Sequence, residues 1–205
     1  MSRLDEAGPS FRRAIQQLRS CCKRVDLLLD ARRILITDSD LIYESAFLNT
    51  MTRFEGLLNV LLEEFVCGSA STKRGHFALV SPRSRLAFRQ ILNAGRAYVD
   101  LMPYKDCVDV ATRFLNEAHP FSDVEEADRN ILAQAVVIRN AIAHRSDVAL
   151  RRFRDTVNGV LSLPRHRQYP GPYLRRPFRA HPDATWNDLY LDTVEKVGVR
   201  LAGSW

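Results

Sequence analysis

The stretch "DLIYESAFLNTMTRFEGLLNVLLEEFVCG", residues 40 to 68, decides the fold of this chain. Its apolar positions are spaced mostly by three or four residues, which predicts an amphipathic helix. Those positions include Ile42, Ala46, Met51, Phe54, Leu58, Leu61 and Phe65. Thr37, Asp38 and Ser39 offer N-cap oxygens just before it. Gly68 predicts the end of the helix, since glycine takes the left-handed conformation at low cost.

Helical patterns recur outward from this stretch in both directions. The further predicted helices are residues 11–35, 83–102, 104–118, 123–144, 148–163 and a short last helix, 185–202. Four of them are preceded by proline or by capping residues. These start signals are Pro9 with Ser10, Ser81 with Pro82, the capping-box pair Ser122 and Glu125, and Ser146 or Asp147.

No segment shows the alternating pattern of a strand, so we predict an all-α fold, a helical bundle. Residues 164–182, "PRHRQYPGPYLRRPFRAHP", hold five prolines, which predict an irregular Pro/Arg-rich segment. Its arginines and rings suit either an RNA-guiding surface or a loop that tucks Tyr169, Tyr173 and Phe178 into the bundle. We expect one domain, with residues 1–163 as the bundle (core 38–160) and 164–205 as a wrapping segment plus the last helix.

Composition narrows the class of protein. The 205 residues are 46% hydrophobic, enough for one core, and a net charge of +6 fits a polyanionic partner such as nucleic acid. Cys21, Cys22, Cys67 and Cys107 show no zinc-ligand spacing, so we expect reduced thiols, no metal and no cofactor. Residues 1–13 lack a signal-peptide pattern, and no run is long enough for a membrane span. These observations predict a cytoplasmic protein with no membrane contact.

The window "VVIRNAIAHRSD", residues 136 to 147, places three polar side chains in an apolar helical run. Asn140 and His144 are four residues apart and share one helix face, whereas Arg139 lies about 140° from His144 around the helix. The ordinary interpretation pairs Arg139 with Glu125 or Glu126 and sets His144 at the negative end of the helix dipole.

The same trio suits RNA cleavage without a metal ion. Histidine can take the proton of a 2′-hydroxyl, because it exchanges protons near neutral pH. Arginine offers a planar fork of donors to the phosphate, and an amide can orient the imidazole. Clustered carboxylates, which a two-metal nuclease would need, are not apparent in the sequence.

At these residues the chain resembles a known family. "RNAIAH", Arg139 to His144, resembles the R-x4-H signature of the HEPN superfamily, and "FLNTMTRFEGLLNVLLEEFVCG" resembles the long helix of its RiboL-PSP-HEPN ribonucleases. The resemblance covers residues 38–160. It implies an up-and-down four-helix bundle that forms a homodimer, with two R-x4-H helices at one composite active site.

By this resemblance Arg139, Asn140 and His144 are the catalytic residues of an endoribonuclease that needs no metal. The implied products are a 2′,3′-cyclic phosphate and a 5′-hydroxyl, and the implied roles are toxin, antiphage or stress effector. Glu55, in the F-E pair, is either a support that holds Arg139 or His144 or an exposed glutamate.

Three arginines near the motif are further candidates for the site, and the sequence also allows two other functions. Arg145, Arg151 and Arg152 are candidate RNA-binding residues beside the motif, and their alternative is a solvated face. The rival function is a non-catalytic helical module that binds RNA or a protein, for example an antitoxin or regulatory protein. A third hypothesis is a purely structural bundle in which the Arg–His pair is incidental.

Overall fold

The computed structural model describes residues 3–68, 77–94, 99–117, 119–157, 168–178 and 180–203. Within these ranges the chain is all-α apart from one two-stranded sheet, which confirms the predicted fold class. The elements in chain order are α1 Arg3–Asp30, α2 Ile36–Cys67, α3 Arg85–Asn93, α4 Tyr104–Phe114, a 3-10 helix Pro120–Asp123, α5 Glu126–His144, α6 Asp147–Val157, α7 Pro170–Leu174, β1 Pro177–Phe178, β2 His181–Thr185 and α8 Trp186–Ala202.

The chain forms two compact units. The first unit comprises Met1–Arg12, Arg53–Asn130 and Glu195–Trp205, and the second comprises Arg13–Thr52 and Ile131–Val194. The expectation of a single domain with a boundary near residue 163 stays a prediction.

Aromatic rings fill the core of the first unit. Phe54 lies 6.2 Å from Phe11 and 6.5 Å from Tyr104, measured between ring centroids, and Phe65 packs edge-on against Phe121 at 5.6 Å. All five rings are buried, so burial of large apolar surfaces dominates the stability of this unit.

Tyr173 of α7 occupies the middle of the second unit. Its ring stacks on Trp186 at 5.2 Å and meets Phe153 edge-on at 5.7 Å. Its hydroxyl lies 3.0 Å from that of Tyr190, so two buried phenols satisfy each other. Among the three rings that the loop hypothesis buries, Tyr173 is buried, Phe178 is half-buried, and Tyr169 is 43% exposed.

The segment at residues 164–182 is more regular than its prolines suggest. Residues 164–167 and 179 lie outside the described part. The remainder forms α7, followed by β1 and β2. These strands pair antiparallel, with Pro177 opposite Thr185 and Phe178 opposite His181. The prediction of an irregular, strand-free segment is therefore wrong here, because proline is tolerated in the first turn of a helix and on a sheet edge.

Four predicted helix starts are wrong. Helix α2 starts at Ile36, so Thr37, Asp38 and Ser39 lie in its first turn instead of preceding it. Helix α1 already includes Pro9, although proline inside a helix removes one backbone hydrogen bond. Helix α3 starts three residues after Ser81–Pro82: Ser84 is its N-cap, accepting from the Ala87 N–H, and Ala94 ends it in the left-handed conformation. The Ser122–Glu125 capping box does not form, because the Ser122 hydroxyl donates to the His119 carbonyl in the 3-10 turn.

Other boundary signals are confirmed. Helix α2 ends at Cys67, directly before Gly68. The Ser146 hydroxyl accepts a hydrogen bond from the Ala149 N–H at 3.3 Å, as an N-cap of α6 does.

Each of the four cysteines is a free thiol. Among the helices in the described ranges, none is both long and apolar enough to cross a membrane.

Two helical glycines of the first unit predict opposite responses to alanine. A Cβ at Gly198 would lie 2.5 Å from the Phe11 ring, whereas a Cβ at Gly56 would meet nothing within 4 Å. We expect Gly198→Ala to lower the free energy of unfolding by about 1–3 kcal/mol through overpacking. Gly56→Ala, the matched control, should raise it by about 0.5–1 kcal/mol. Urea unfolding measures both, and stabilisation by both variants would contradict the packing at Gly198.

His119 of the first unit predicts a pH dependence of stability. It is buried, with its Nε2 atom 3.2 Å from the Thr112 hydroxyl, and burial lowers its pKa below the ordinary 6.5. Below about pH 6.5 the unfolded chain therefore binds this proton more readily than the folded chain does. The free energy of unfolding should therefore fall as pH drops from about 7.5 to about 5.5, a range that extends about one unit to either side of the ordinary histidine pKa.

The variant His119→Gln isolates this contribution, because all other titrating groups stay the same. Its free energy of unfolding, measured in urea at both pH values, should fall less than that of the wild type. Equal losses in the two proteins would show that His119 takes no part in the acid response.

Candidate functional site

The predicted catalytic residues lie in the last two turns of α5, in the second unit. Ala135, Ile138 and Ala141 bury one face of this helix. Arg139 and Asn140 are half-buried beside that face, and His144, the final residue of α5, is exposed. The apolar face fixes the helix in the core, so its polar residues are presented along the edge and end.

Arg139 contacts the residue that follows it. Its Nη1 atom donates a hydrogen bond to the Asn140 Oδ1 atom at 3.0 Å. Asn140 and His144 share a helix face, so this bond turns the guanidinium toward the face that carries the imidazole. Glu125, one of the carboxylates considered as a partner of Arg139, accepts from Lys196 at 3.3 Å in the first unit.

Arg145 has an unusual backbone conformation directly after His144. Its φ of 48° is in the left-handed region that favours glycine, and its N–H donates to the Ala141 carbonyl at 3.2 Å. Its guanidinium reaches α2, where the Nη2 atom lies 2.6 Å from a Glu44 carboxylate oxygen. The predicted RNA-binding residue Arg145 is therefore held by an ion pair, although its side chain remains 65% exposed.

Glu44 is the centre of a three-way contact. It is buried, and while Oε2 accepts from Arg145, Oε1 accepts from the Gly171 N–H at 3.1 Å. Gly171 fits closely against α2, because a Cβ there would lie 2.8 Å from atoms of Asp40. Asp40 in turn binds the Arg175 Nε atom at 3.0 Å. These contacts join α2, the end of α5 and α7.

A cleft of about 650 Å³ opens beside this contact, within the second unit. Such a volume is typical of small-molecule sites. Apolar groups and a few charged groups form its wall. They are Thr37, Asp40, Leu41, Glu44, Ala141, Arg145, Leu150, Tyr169, Pro170 and Pro172. The Arg154 guanidinium lies over the Tyr169 ring, 5.8 Å from its centroid.

The remaining predicted residues are not among those that form the cleft wall. Arg151 and Arg152 are exposed on α6, and an RNA-binding role for them stays a prediction. Glu55 is half-buried on α2, in the part of that helix that belongs to the first unit. Its suggested support of Arg139 or His144 also stays a prediction.

Sequence reasoning missed Glu44, Asp40 and Gly171. Glu44 lies beside the buried residues Tyr43 and Ala46, so a carboxylate within an apolar stripe was the available signal. Its partners are 101 and 127 positions away in the chain, which no local pattern reveals. In the described ranges, no three His, Cys, Asp or Glu side chains are grouped so that they could hold a metal ion.

Comparison with known proteins adds no assignment to this site: no protein-family model, curated protein or solved structure matches the chain.

The three-way contact predicts unequal effects for its two charged partners. Glu44→Leu leaves the buried Gly171 N–H without its acceptor, so we expect the free energy of unfolding to fall by about 1–3 kcal/mol. Arg145→Ala removes a largely exposed guanidinium, and the freed Glu44 oxygen can be hydrated from the cleft that Glu44 lines, so this variant should cost less than about 1 kcal/mol. Urea unfolding of both variants tests this order. A larger loss of unfolding free energy in Arg145→Ala than in Glu44→Leu would contradict the prediction.

Proposed function

We propose that this chain is a metal-independent endoribonuclease of the HEPN type that acts as a homodimer on RNA. The observation that carries the proposal is the Arg139–Asn140 hydrogen bond of 3.0 Å, one helical turn before the exposed His144. It supports the idea that guanidinium, amide and imidazole serve one substrate, although Arg139 and His144 start from different sides of the helix.

Each group has one part in the proposed reaction. His144 takes the proton of a ribose 2′-hydroxyl, and the 2′-oxygen attacks the adjacent phosphorus. Arg139 stabilises the negative charge that develops on the phosphorane, and Asn140 keeps the guanidinium in place. The bond from phosphorus to the 5′-oxygen then breaks, and that oxygen takes a proton. The products are a 2′,3′-cyclic phosphate and a 5′-hydroxyl end.

The second proton transfer gives the homodimer its role. A base that has just taken a proton is poorly placed to protonate a leaving group on the opposite side of the phosphorus. In the proposed dimer, His144 of a second copy supplies that proton, and two copies of α5 share one cleavage site.

The net charge of +6 supports an attraction to RNA. A role as toxin, antiphage or stress effector follows from the family resemblance alone.

Cleavage of a labelled RNA in EDTA tests the reaction. We expect the wild type to cut and to leave cyclic phosphate ends. His144→Ala should lose at least about 100-fold in rate, because general acid–base catalysis typically contributes that much. Arg139→Ala should lose a similar factor by removing charge stabilisation. His181→Ala, which changes an exposed histidine of β2, and the exposed Arg24→Ala are the matched controls and should cut at the wild-type rate.

Two results would overturn the proposal. Equal cleavage by the wild type and His144→Ala would identify a contaminating nuclease, and dependence on magnesium would exclude the mechanism. A dimer that binds RNA without ever cutting it would instead favour the non-catalytic module. Mixing His144→Ala with Arg139→Ala also tests the composite site, since mixed dimers should differ in activity from either parent.

A further inference from the structure

We propose that the cleft beside Glu44 binds a nucleobase that carries an amino group, and so selects the sequence at which RNA is cut. The link to cutting depends on the proposed nuclease function. The binding itself depends only on the cleft of about 650 Å³ and on the groups in its wall.

Tyr169 supplies a surface for stacking. It is 43% exposed although it lies in the wall of the cleft, and the Arg154 guanidinium lies over its ring. A cation on one ring face leaves the other face for a flat partner, and bases stack on such rings regardless of sequence. Pro170 and Pro172, also in the wall, restrict the backbone that follows Tyr169, so little freedom is lost when a base enters.

Two carboxylates give the cleft a preference among bases. Asp40 and Glu44 lie in its wall, and each already holds one guanidinium, Glu44 that of Arg145 and Asp40 that of Arg175. Each carboxylate oxygen can accept more than one hydrogen bond, so both residues can accept another donor. Adenine, cytosine and guanine carry an amino group whose two N–H bonds can serve both carboxylates, whereas uracil has no amino group and offers only its N3–H.

The cleft is adjacent in the chain to the proposed catalytic histidine. Arg145, in its wall, follows His144 directly, so their Cα atoms are about 3.8 Å apart. A base in the cleft would therefore belong to a nucleotide at or next to the linkage that is cut. The proposed reaction then requires the phosphate of that linkage to lie at His144 and Arg139.

Titration calorimetry with AMP, CMP, GMP and UMP tests the inference on His144→Ala, which keeps binding separate from cleavage. We expect the three nucleotides with amino groups to bind, and UMP to bind about tenfold more weakly, because its one N3–H can serve one carboxylate whereas an NH2 group has two N–H donors. Tyr169→Ala should weaken binding at least about fivefold by removing the stacked ring, whereas Tyr169→Phe should bind as the parent does. Asp40→Asn and Glu44→Gln should narrow the difference between CMP and UMP.

The outcomes separate this inference from the proposed function. Binding that depends on Tyr169 in a protein that never cuts RNA would support the cleft and refute the nuclease. RNA cleavage with the same sequence preference in Tyr169→Ala and the wild type would leave the nuclease standing and refute the cleft. Absence of binding for all four nucleotides would refute it too. If Glu44→Gln does not fold, Asp40→Asn and Tyr169→Ala still decide the question.

Homotrinucleotides identify the source of the base. Tighter binding of AAA or CCC than of the corresponding monophosphate would indicate an RNA strand as the ligand, because its further phosphates could contact the exposed Arg151 and Arg152. Tighter binding of the monophosphate would indicate a free nucleotide in the same cleft. Either result supports a base-binding site, and equal weak binding of UUU and AAA would contradict the preference for an amino group.

Discussion

The buried carboxylate of Glu44 is the contact on which the second unit depends. It accepts from Arg145 at 2.6 Å and from the Gly171 N–H at 3.1 Å, so one side chain of α2 fixes both the end of α5 and the start of α7. A buried carboxylate is costly unless its oxygens are satisfied, and here both have a partner. The position of His144 follows from this contact, because the next residue is tied to it.

The conformation of Arg145 affects both the fold and the proposed chemistry. A non-glycine residue with a φ of 48° is strained by roughly 1 kcal/mol or more, and an ion pair with Glu44 offsets part of that cost. Glycine would relieve the strain but would give no guanidinium to the cleft. The sequence therefore combines a sharp turn after α5 with a cation at that turn. His144 stays exposed at the helix end, where a large substrate can reach it.

Local sequence signals correctly predicted the structural features that depend on residues close together in the sequence. The periodicity of α2, its end before Gly68 and the Ser146 cap of α6 were readable because each involves residues within one or two turns. The start of α3 was missed since Ser81–Pro82 and Ser84 are both plausible caps, and only Ser84 is used. The polar trio of α5 was readable as a motif. The cleft beside it was not, because Asp40 and Tyr169 come together only through packing between distant segments.

The order in which the chain is synthesised has a consequence for the cleft. Its wall combines residues between positions 37 and 44 with residues between positions 169 and 172. The first group is therefore synthesised more than 120 residues before the second. Ion pairs between Arg19 and Asp188 and between Asp40 and Arg175 span similar distances along the chain. Contacts of such long range form late in folding. A nascent chain thus lacks part of the cleft wall until residues 169–172 have emerged, and a chain that terminates before them never completes it.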